Sequence, residues 1–377
     1  MFLNHALATE LTFDIVSLGA KLDGKTDISP VLQKAWDNVC GSSAPATIYV
    51  PNDIFYVQNG SFNGPCKNNA ITVRIEGTLV ASSDIRVLAK ARSWIVFRDL
   101  NGLSISSGVL DGRGTDLWKC KRSGQSCPNG ATNLEIVHAQ NININGLSSI
   151  NSQIIVVLGC KNVHMTGVNV SAPDDSPNTD GIHVQQSSDV TILSSSIGTG
   201  DDCISIGSGT SNLWMESITC GPGHGISIGS LGKEANEAGV RNVTVKSSNF
   251  TETQNGMKIK SWGRSSNGFV RYVHFQHIIM DNVENPIVID QNYCPHHHDC
   301  PDQNSGVKIN EVTYEDIKGT SATEVAINFD CSPTNLCTGV SLKDIKLTYN
   351  NKIAEASCKK VKGTASGVVE PSSCLAK

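Results

Sequence analysis

One short phrase recurs between residues 178 and 260, and it limits the possible folds more than any other feature of the chain. The copies read DGIHV, DCISI, HGISI and NGMKI, and they begin at Asp180, Asp202, His224 and Asn255. Their starting points lie 22, 22 and 31 residues apart. Each copy alternates apolar and polar side chains, which indicates a strand with one buried face. Recurrence at such intervals predicts a solenoid of stacked coils.

Stacking of these copies in register predicts which side chains face the interior. One interior column is predicted to contain Ile182, Ile204, Ile226 and Met257. A second is predicted to contain Val184, Ile206, Ile228 and Ile259. The intervening side chains are predicted to face outward, and these are His183, Ser205, Ser227 and Lys258. Neighbouring strands lie about 4.8 Å apart, so equivalent side chains in successive coils become neighbours.

The first residue differs in chemistry from copy to copy, whereas the rest of the phrase stays similar. Stacking therefore predicts an ionisable cluster, whose members are Asp180, Asp201, Asp202 and His224. Lys258 and Lys260 follow on the next coil. Such clusters are costly to fold and mark chemistry more often than structure. The alternative is an exposed ladder of ion pairs, which would contribute little stability.

Composition agrees with a β-rich solenoid and excludes some partners. Charged residues make up 17% of the 377 residues and aromatic residues only 5%, which suits short strands joined by tight corners. The continuous repeat predicts one solenoid domain over residues 13–377, after an N-terminal extension of residues 1–12. A helix that begins with Ser29 as its N-cap and runs to Val39 is predicted to cap it. The net charge of −5 provides no basic surface for nucleic acid, and no apolar run is long enough to span a membrane.

Thirteen cysteines indicate an oxidising compartment. Sequons that agree with secretion begin at Asn59, Asn169, Asn242 and Asn249. The expected disulfides join Cys40 to Cys66, Cys120 to Cys127, Cys203 to Cys220, Cys294 to Cys300, Cys331 to Cys337 and Cys358 to Cys374, and they leave Cys160 as a buried thiol. Zinc binding is the alternative, but no Cys-X2-Cys pair lies beside suitable histidines, so no metal is expected. The first ten residues lack the features of a signal peptide, so we expect a mature or trimmed chain.

Two segments interrupt the repeat. Residues 118–133 combine two cysteines with basic residues and are predicted to form a disulfide-pinned loop beside the cleft. His296, His297 and His298 suggest a metal site, but adjacent side chains cannot all point to one ion, so a solvated loop is expected. The last clear strands are predicted at residues 325–329 and 340–342, followed by a polar tail.

The ionisable cluster has the chemistry that glycoside hydrolysis requires. One protonated carboxyl group must donate to the leaving oxygen, and one ionised group must activate water or attack the anomeric carbon. Crowded carboxylates supply both states because like charges at close range raise one another's pKa. The two neighbouring lysines favour an anionic substrate.

Four ordered motifs resemble the signatures of the polygalacturonases, glycoside hydrolase family 28. They are Asn178-Thr179-Asp180, Gly200-Asp201-Asp202, Gly223-His224-Gly225 and Lys258-Ile259-Lys260. The resemblance extends over nearly the whole chain. Three further segments resemble in particular the plant exopolygalacturonases of pollen, some of which are allergens. These segments are Gly64-Pro65-Cys66, Leu110-Asp111-Gly112 and residues 290–295.

The resemblance implies a right-handed, single-stranded parallel β-helix of the pectin-lyase-like kind. It also implies inverting hydrolysis of α-1,4 linkages in homogalacturonan, without a metal or other cofactor. We expect a secreted, monomeric glycoprotein of the cell wall that attacks chain ends and releases galacturonic acid. An inverting enzyme is expected to hold its acid and base about 6.5–9.5 Å apart, leaving room for water.

Residue roles are implied by the matching positions. Asp201 is implied to be the general acid, while Asp180 and Asp202 bind and activate the water. His224 is implied to tune the acid, and Lys260 to bind a substrate carboxylate. The implied substrate-binding residues are Asn178, Lys258, Lys260 and Tyr293, with Asn178 supporting the site and Tyr293 at the sugar subsite.

One position departs from the family pattern, which has arginine where this chain has Lys258. Lysine keeps the positive charge but loses the planar fork that binds a carboxylate through two hydrogen bonds. Losing one such bond weakens binding by about 1.5–3 kcal/mol, so reduced but real activity is expected. The alternatives are a non-catalytic pectin-binding homologue and a calcium-dependent pectate lyase on the same kind of solenoid. A structural adhesin would have no reason to interrupt its ladder with acids.

Overall fold

A computed structural model describes residues 11–88, 91–295 and 299–376. Strands predominate, and the helices of the described residues are α1 (Ser29–Gly41), α2 (Ile85–Leu88) and α3 (Thr115–Arg122). The strands are β1 (Leu11–Asp14), β2 (Ala46–Val50), β3 (Ile54–Tyr56), β4 (Gly60–Asn63), β5 (Ile71–Ile75), β6 (Thr78–Val80), β7 (Ser93–Arg98), β8 (Asn101–Ser106), β9 (Val109–Asp111), β10 (Thr132–Val137), β11 (Gln140–Asn145), β12 (Ser148–Ile150), β13 (Ile155–Leu158), β14 (Lys161–Thr166), β15 (Asn169–Ser171), β16 (Ile182–Gln185), β17 (Ser188–Leu193), β18 (Ser196–Gly198), β19 (Ile204–Ile206), β20 (Ser211–Glu216), β21 (Thr219–Cys220), β22 (Ile226–Leu231), β23 (Val240–Lys246), β24 (Asn249–Thr251), β25 (Asn255–Trp262), β26 (Phe269–Val283), β27 (Asn285–Tyr293), β28 (Lys308–Ser321), β29 (Val325–Asp330), β30 (Cys337–Tyr349), β31 (Lys352–Ile353), β32 (Glu355–Lys359) and β33 (Val361–Glu370).

The described residues form two compact units. The first contains the chain up to Ile155 together with Cys160–Asn169, and the second contains Val156–Gly159 and the chain from Val170 onward. The prediction of one domain over residues 13–377 stays a prediction. In the first unit, parallel pairing connects β1, β2, β5, β8, β11 and β14 in that order. A second parallel sheet in this unit contains β4, β7 and β10.

Helix α1 confirms the predicted helix and runs two residues further, to Gly41. Its buried side chains are Leu32, Ala35, Trp36 and Val39, and it packs against β1, β2 and β4. The prediction that Ser29 is the N-cap is wrong, because Ile28 occupies that position. The Ser29 side chain forms no capping hydrogen bond, and its hydroxyl group instead donates to Asp27 at 2.6 Å.

The second unit contains the recurring phrase and positions the candidate site. Its strands β16, β19, β22, β25, β27, β29 and β32 pair in parallel in that order. The register joins Ile182 to Ile204, Ile226 and Met257, and it joins Val184 to Ile206, Ile228 and Ile259. All eight side chains are at most 1% exposed, so both predicted interior columns are confirmed. This coil-on-coil parallel pairing is a parallel β-helix, as predicted.

The predicted outward column is also aligned, but part of it is covered. His183, Ser205 and Ser227 are consecutive partners in the register, and Lys258 follows. Ser205 is only 3% exposed and Ser227 is fully buried, because the acidic side chains of the site lie over them. The outward face of these strands is therefore a packed polar layer.

Two structural predictions need correction. Residues 118–133 are not a loop throughout, since α3 includes Trp118 and the following disulfide joins Cys120 to Cys127. The stack also does not end with the strand at residues 340–342, because β32 and β33 continue it. Those strands are rich in small and polar residues, so their backbone pairing left no strong apolar pattern in the sequence. The histidines at 296–298 lie outside the described residues.

All six predicted disulfides are present. Cys160 takes part in none of them and is buried, with its Sγ 3.4 Å from the carbonyl oxygen of Ile136. Among the described residues, no helix combines the length and the apolarity needed to cross a membrane.

Candidate active site

The candidate acids lie on the corners that immediately precede β16 and β19, and His224 lies on the corner before β22. Backbone hydrogen bonds fix these corners to one another, with His224 N donating to Asp201 O at 2.7 Å and Gly181 N donating to Asp202 O at 2.9 Å. Gly225 follows His224 with a φ of +85°, and a Cβ there would lie 2.0 Å from the carbonyl oxygen of Asn255. Only glycine fits this close approach, so the tight corner aims His224 back toward Asp201.

Asp202 is held as a buried ion pair. Lys260 Nζ donates to its Oδ2 at 2.7 Å, and Ser227 Oγ donates to its Oδ1 at 2.6 Å. Burial opposes the charge on Lys260, but the Asp202 carboxylate outweighs burial and raises the pKa of Lys260 to about 12. Both oxygens of Asp202 are therefore engaged, and its partner cation stays charged at any pH at which a protein operates.

Asp201 and His224 form a second pair, with 3.0 Å between Oδ1 and Nδ1. Burial raises the pKa of Asp201, but the hydrogen bond and the charge of His224, together with the charge of Lys260, lower that pKa overall. The same hydrogen bond raises the pKa of His224. These opposite shifts place the proton that the two groups share on the imidazole, from which it can pass to Asp201 along their hydrogen bond. Asp201 is 20% exposed at its side chain, so this proton is accessible from outside.

Asp180 is the acid whose charge is least favoured. Burial raises its pKa to about 7, and the charges of Asp202 and Asp201 act in the same direction. Ser205 Oγ lies 2.6 Å from its Oδ2. Within the described chain, its other oxygen, Oδ1, has no hydrogen-bond partner. Asp180 can therefore exist with or without its proton near neutral pH, and it offers one oxygen to a water or a substrate.

Two cations and an aromatic ring lie beside the acids. The Nζ atoms of Lys258 and Lys260 each lie 5.4 Å from the centre of the Tyr293 ring. Burial lowers the pKa of Lys258, and the charge of Asp290 opposes that effect. No carboxylate of the described residues forms an ion pair with Lys258, so its ammonium group is available to an anionic ligand. Lys260, by contrast, is 9% exposed and is held by Asp202.

The structure brings together seven of the eight predicted site residues. They are Asp180, Asp201, Asp202, His224, Lys258, Lys260 and Tyr293. Asn178 is exposed with a φ of +53°, and its side chain has no hydrogen bond to any described residue. Sequence reasoning gave no role to Ser205 and Ser227, which are hydrogen-bonded to Asp180 and Asp202. The available signal was the outward position of each on the coil that follows its acid.

Among the described residues, Asp201, Asp202 and His224 form a group that could hold a metal ion, since one ligand atom from each lies within 4.8 Å of the others. Their atoms are already engaged, however. Asp202 is bonded to Lys260 and Ser227, and Asp201 accepts from His224. A buried ammonium 2.7 Å from one ligand would repel a second cation. The donor set therefore fits proton transfer better than metal binding.

Crowded acids with separated protonation states, set on a parallel β-helix, define a general acid–base hydrolase. The comparisons with known proteins agree. The model of glycosyl hydrolases family 28 matches residues 40–373. A polygalacturonase of Prunus persica is 60% identical and covers 99% of this chain and 96% of its own. An exopolygalacturonase of Arabidopsis thaliana is 39% identical and covers 96% of this chain and 82% of its own.

Among solved structures, the endo-xylogalacturonan hydrolase of Aspergillus tubingensis matches with a TM-score of 0.81 and 24% identity. The match covers 95% of this chain and 100% of that one, and at this identity it bears on the fold alone. The chain belongs to glycosyl hydrolases family 28, and it is a glycoside hydrolase.

The buried pair of Lys260 and Asp202 should be important for stability. Lys260→Met leaves a carboxylate that is 4% exposed without its cation, and we expect the free energy of unfolding to fall by about 3 kcal/mol. Urea unfolding with the disulfides intact measures this change. Lys343→Met is the matched control, because Lys343 lies 2.6 Å from Glu315 but their side chains are 48% and 30% exposed. Its effect should be much smaller, since exposed pairs stabilise little. Equal, small losses in both variants would contradict the assignment.

Proposed function

We propose that the protein hydrolyses α-1,4-galacturonosyl linkages in homogalacturonan. The observation that carries this proposal is the Asp201–His224 pair, which holds one accessible proton beside an acid, Asp180, that titrates near neutral pH. The unpaired ammonium of Lys258 suits the carboxylate of a galacturonate residue. Family membership and the names of the relatives support the same substrate.

In the proposed reaction, Asp201 gives its proton to the glycosidic oxygen as the bond from that oxygen to the anomeric carbon breaks. A water molecule forms the new bond to that carbon, and its proton passes to Asp180 at the open Oδ1. His224 supplies the proton of its pair to Asp201. Asp202 stays ionised against Lys260 and orients the water. One proton leaves the site on the product and one enters from the water, so the step is balanced.

Asp180 is the better candidate for the base. One ligand oxygen of Asp201 and one of Asp202 lie within 4.8 Å of each other, closer than the separation of about 6.5–9.5 Å between acid and base that is usual for inversion. Both oxygens of Asp202 also already accept a hydrogen bond, whereas Asp180 has an open Oδ1. Support for inversion therefore comes from the family resemblance, and the anomer that forms first decides it. Inversion of an α linkage gives the β anomer.

We also propose that the enzyme acts from chain ends, releases galacturonic acid, and is a secreted protein of the plant cell wall. Exopolygalacturonases among its relatives support end-on attack. Six disulfides support an oxidising compartment outside the cytosol. Polygalacturonate is the expected partner, and the protein is expected to act as a monomer.

Asp201→Asn tests the activity. The amide keeps the shape of the side chain but cannot donate the proton, so release of reducing ends from polygalacturonate should fall by about 10²–10⁴-fold. Binding of the polymer should survive. Product sizing of the wild-type reaction should give monomer without a ladder of oligomers. The control is Asp316→Asn, because Asp316 also accepts from a histidine, His277 Nδ1 at 2.8 Å, but lies in an exposed pair.

A wild-type protein that binds polygalacturonate and releases no more reducing ends than Asp201→Asn would support the second candidate function. That candidate is a pectin-binding homologue without catalysis, and the observation that favours it is lysine at position 258. A ladder of oligomers would contradict end-on attack alone.

Lys258→Arg tests the effect of the departure from the family pattern. A guanidinium group can form two parallel hydrogen bonds with a substrate carboxylate, where the ammonium group forms a single charge-assisted one. One added bond corresponds to about 1.5–3 kcal/mol, so KM should fall by roughly 10-fold or more while kcat changes little. The control is Lys343→Arg at the exposed pair, which should leave both constants unchanged. An unchanged KM in Lys258→Arg would remove Lys258 from substrate binding.

A further inference from the structure

A chain of hydrogen bonds continues behind Asp180. Ser205 Oγ lies 2.6 Å from Asp180 Oδ2 and 2.7 Å from His183 Nδ1. The other ring nitrogen of His183, Nε2, lies 3.2 Å from Gln185 Oε1. His183 and Ser205 are register partners on β16 and β19, so the stacking of the coils fixes this arrangement. Ser205 is buried, whereas His183 and Gln185 are half-buried.

The donors and acceptors of this chain can be assigned from its far end. Gln185 Oε1 can only accept, so His183 carries hydrogen on Nε2. Burial lowers the pKa of His183 and so favours the neutral ring, whose Nδ1 accepts from Ser205. The single hydroxyl hydrogen of Ser205 is then donated to His183 Nδ1. The bond between Ser205 and Asp180 must in that state be donated by Asp180, which is therefore protonated.

Loss of the proton from Asp180 reverses the direction of the hydrogen bonds that Ser205 forms with Asp180 and His183. An ionised carboxylate can only accept, so Ser205 must turn its hydrogen to Asp180 and can no longer donate to His183. His183 Nδ1 then needs a hydrogen of its own to keep its bond to Ser205. The protonation of Asp180 and that of His183 are thus linked through one buried hydroxyl group.

We propose that Ser205 and His183 are a proton relay that returns Asp180 to its ionised state after each turnover. This proposal rests on the proposed function, in which Asp180 takes a proton from the attacking water. The carboxyl group of Asp180 first turns about its Cβ–Cγ bond, so that the oxygen protonated by the water faces Ser205. Its proton then passes to Ser205 Oγ as the hydrogen of Ser205 passes to His183 Nδ1, which forms an imidazolium ion. That ion loses a proton to solvent and the carboxylate is left ready for the next water, and exchange with solvent then returns the ring to the form with hydrogen on Nε2. No oxidant, reductant or further reactant is needed.

The neighbouring acid lacks this arrangement. Ser227 is the register partner of Ser205 and donates to Asp202 at 2.6 Å, so the two serines are equivalent in position and in bond length. In the described chain, however, no imidazole is bonded to Ser227. Asp202 is held by the ammonium of Lys260 instead. The relay is therefore specific to the acid that we assign as the base.

Substitutions at Ser205 or His183 leave the charged groups around the relay unchanged. Asp202, Asp201 and Lys260 act on Asp180, and Asp202 and Lys260 act on His183. Changes at Ser205 or His183 alter the route of the proton and leave these charges in place. A comparison among such variants therefore reports the relay.

The first test measures kcat and KM for polygalacturonate with Ser205→Ala, His183→Ala and the double variant. Each single change should lower kcat by about 10²-fold, the lower end for a positioned proton-transfer group, with KM unchanged. The double variant should be no worse than either single variant, because one broken link already stops the relay. Combining His183→Ala with Ser227→Ala should instead give independent losses. Ser205→Thr keeps a hydroxyl group and should restore activity.

The second test adds imidazole to the assay. A small base in the space left by His183→Ala should accept the proton from Ser205 and raise kcat with concentration. Imidazole should have no effect on wild type, on Ser205→Ala or on His274→Ala, where His274 is a half-buried, outward histidine of β26. A merely structural role for His183 predicts a change in thermal stability without rescue. Absence of rescue together with additive losses would overturn the relay.

A readout that needs no activity separates this proposal from the proposed function. The ¹⁵N resonances of His183, identified by their loss in His183→Gln, should show hydrogen on Nε2 alone while Asp180 is protonated. In Ser205→Ala this tautomer should no longer follow the titration of Asp180. A wild-type protein without hydrolysis would defeat the proposed function and leave this measurement valid. A tautomer that is independent of Ser205 in an active enzyme would defeat the relay alone.

Discussion

The register of β16, β19, β22 and β25 is the constraint on which the site depends. Side chains alternate between the two faces of a strand, so a slip of one residue would put each outward side chain inside. Ser205 and Ser227 would then face the apolar core, and the isoleucines would face the acids. Two columns of apolar side chains, each at most 1% exposed, oppose such a slip. The apolar core therefore positions the side chains of the candidate active site.

Close packing of like charges gives the site its reactivity, and one buried cation, Lys260, offsets part of the repulsion between these charges. Lys260 lies 2.7 Å from Asp202 and keeps that acid paired. His224 does the same for Asp201. Asp180 has no cation within ion-pairing distance among the described residues, and its pKa rises to about 7. Three carboxyl groups on neighbouring corners thus differ in protonation because their partners differ.

Much of this arrangement could be predicted from the sequence. The interior columns, the acids that share one corner and all six disulfides followed from spacing and alternation. Period-2 alternation reports which face a residue occupies, and it is strong where Ile and Val repeat. It is weak in β32 and β33, where small and polar side chains pair through the backbone, and these strands were missed.

The sequence could not predict how the side chains pair within the site. Lys260 was expected to bind substrate but is bonded to Asp202, and Ser205 was expected only to face outward. Such pairings depend on distances of about 3 Å between flexible side chains, which spacing along the chain does not determine. Protonation depends on the same distances, so the raised pKa of Asp180 could be derived only from the structure.

The most direct measurement of the central claim is a titration of the aspartate carboxyl groups by ¹³C NMR. The Asp180 resonance is identified by its loss in Asp180→Asn. Asp180 is expected to titrate near 7, and Asp202→Asn is expected to lower this value by removing a neighbouring charge. Titration of Asp180 near 3.8, the ordinary value for aspartate, with no response to Asp202→Asn would contradict a site in which crowded carboxylates hold Asp180 protonated.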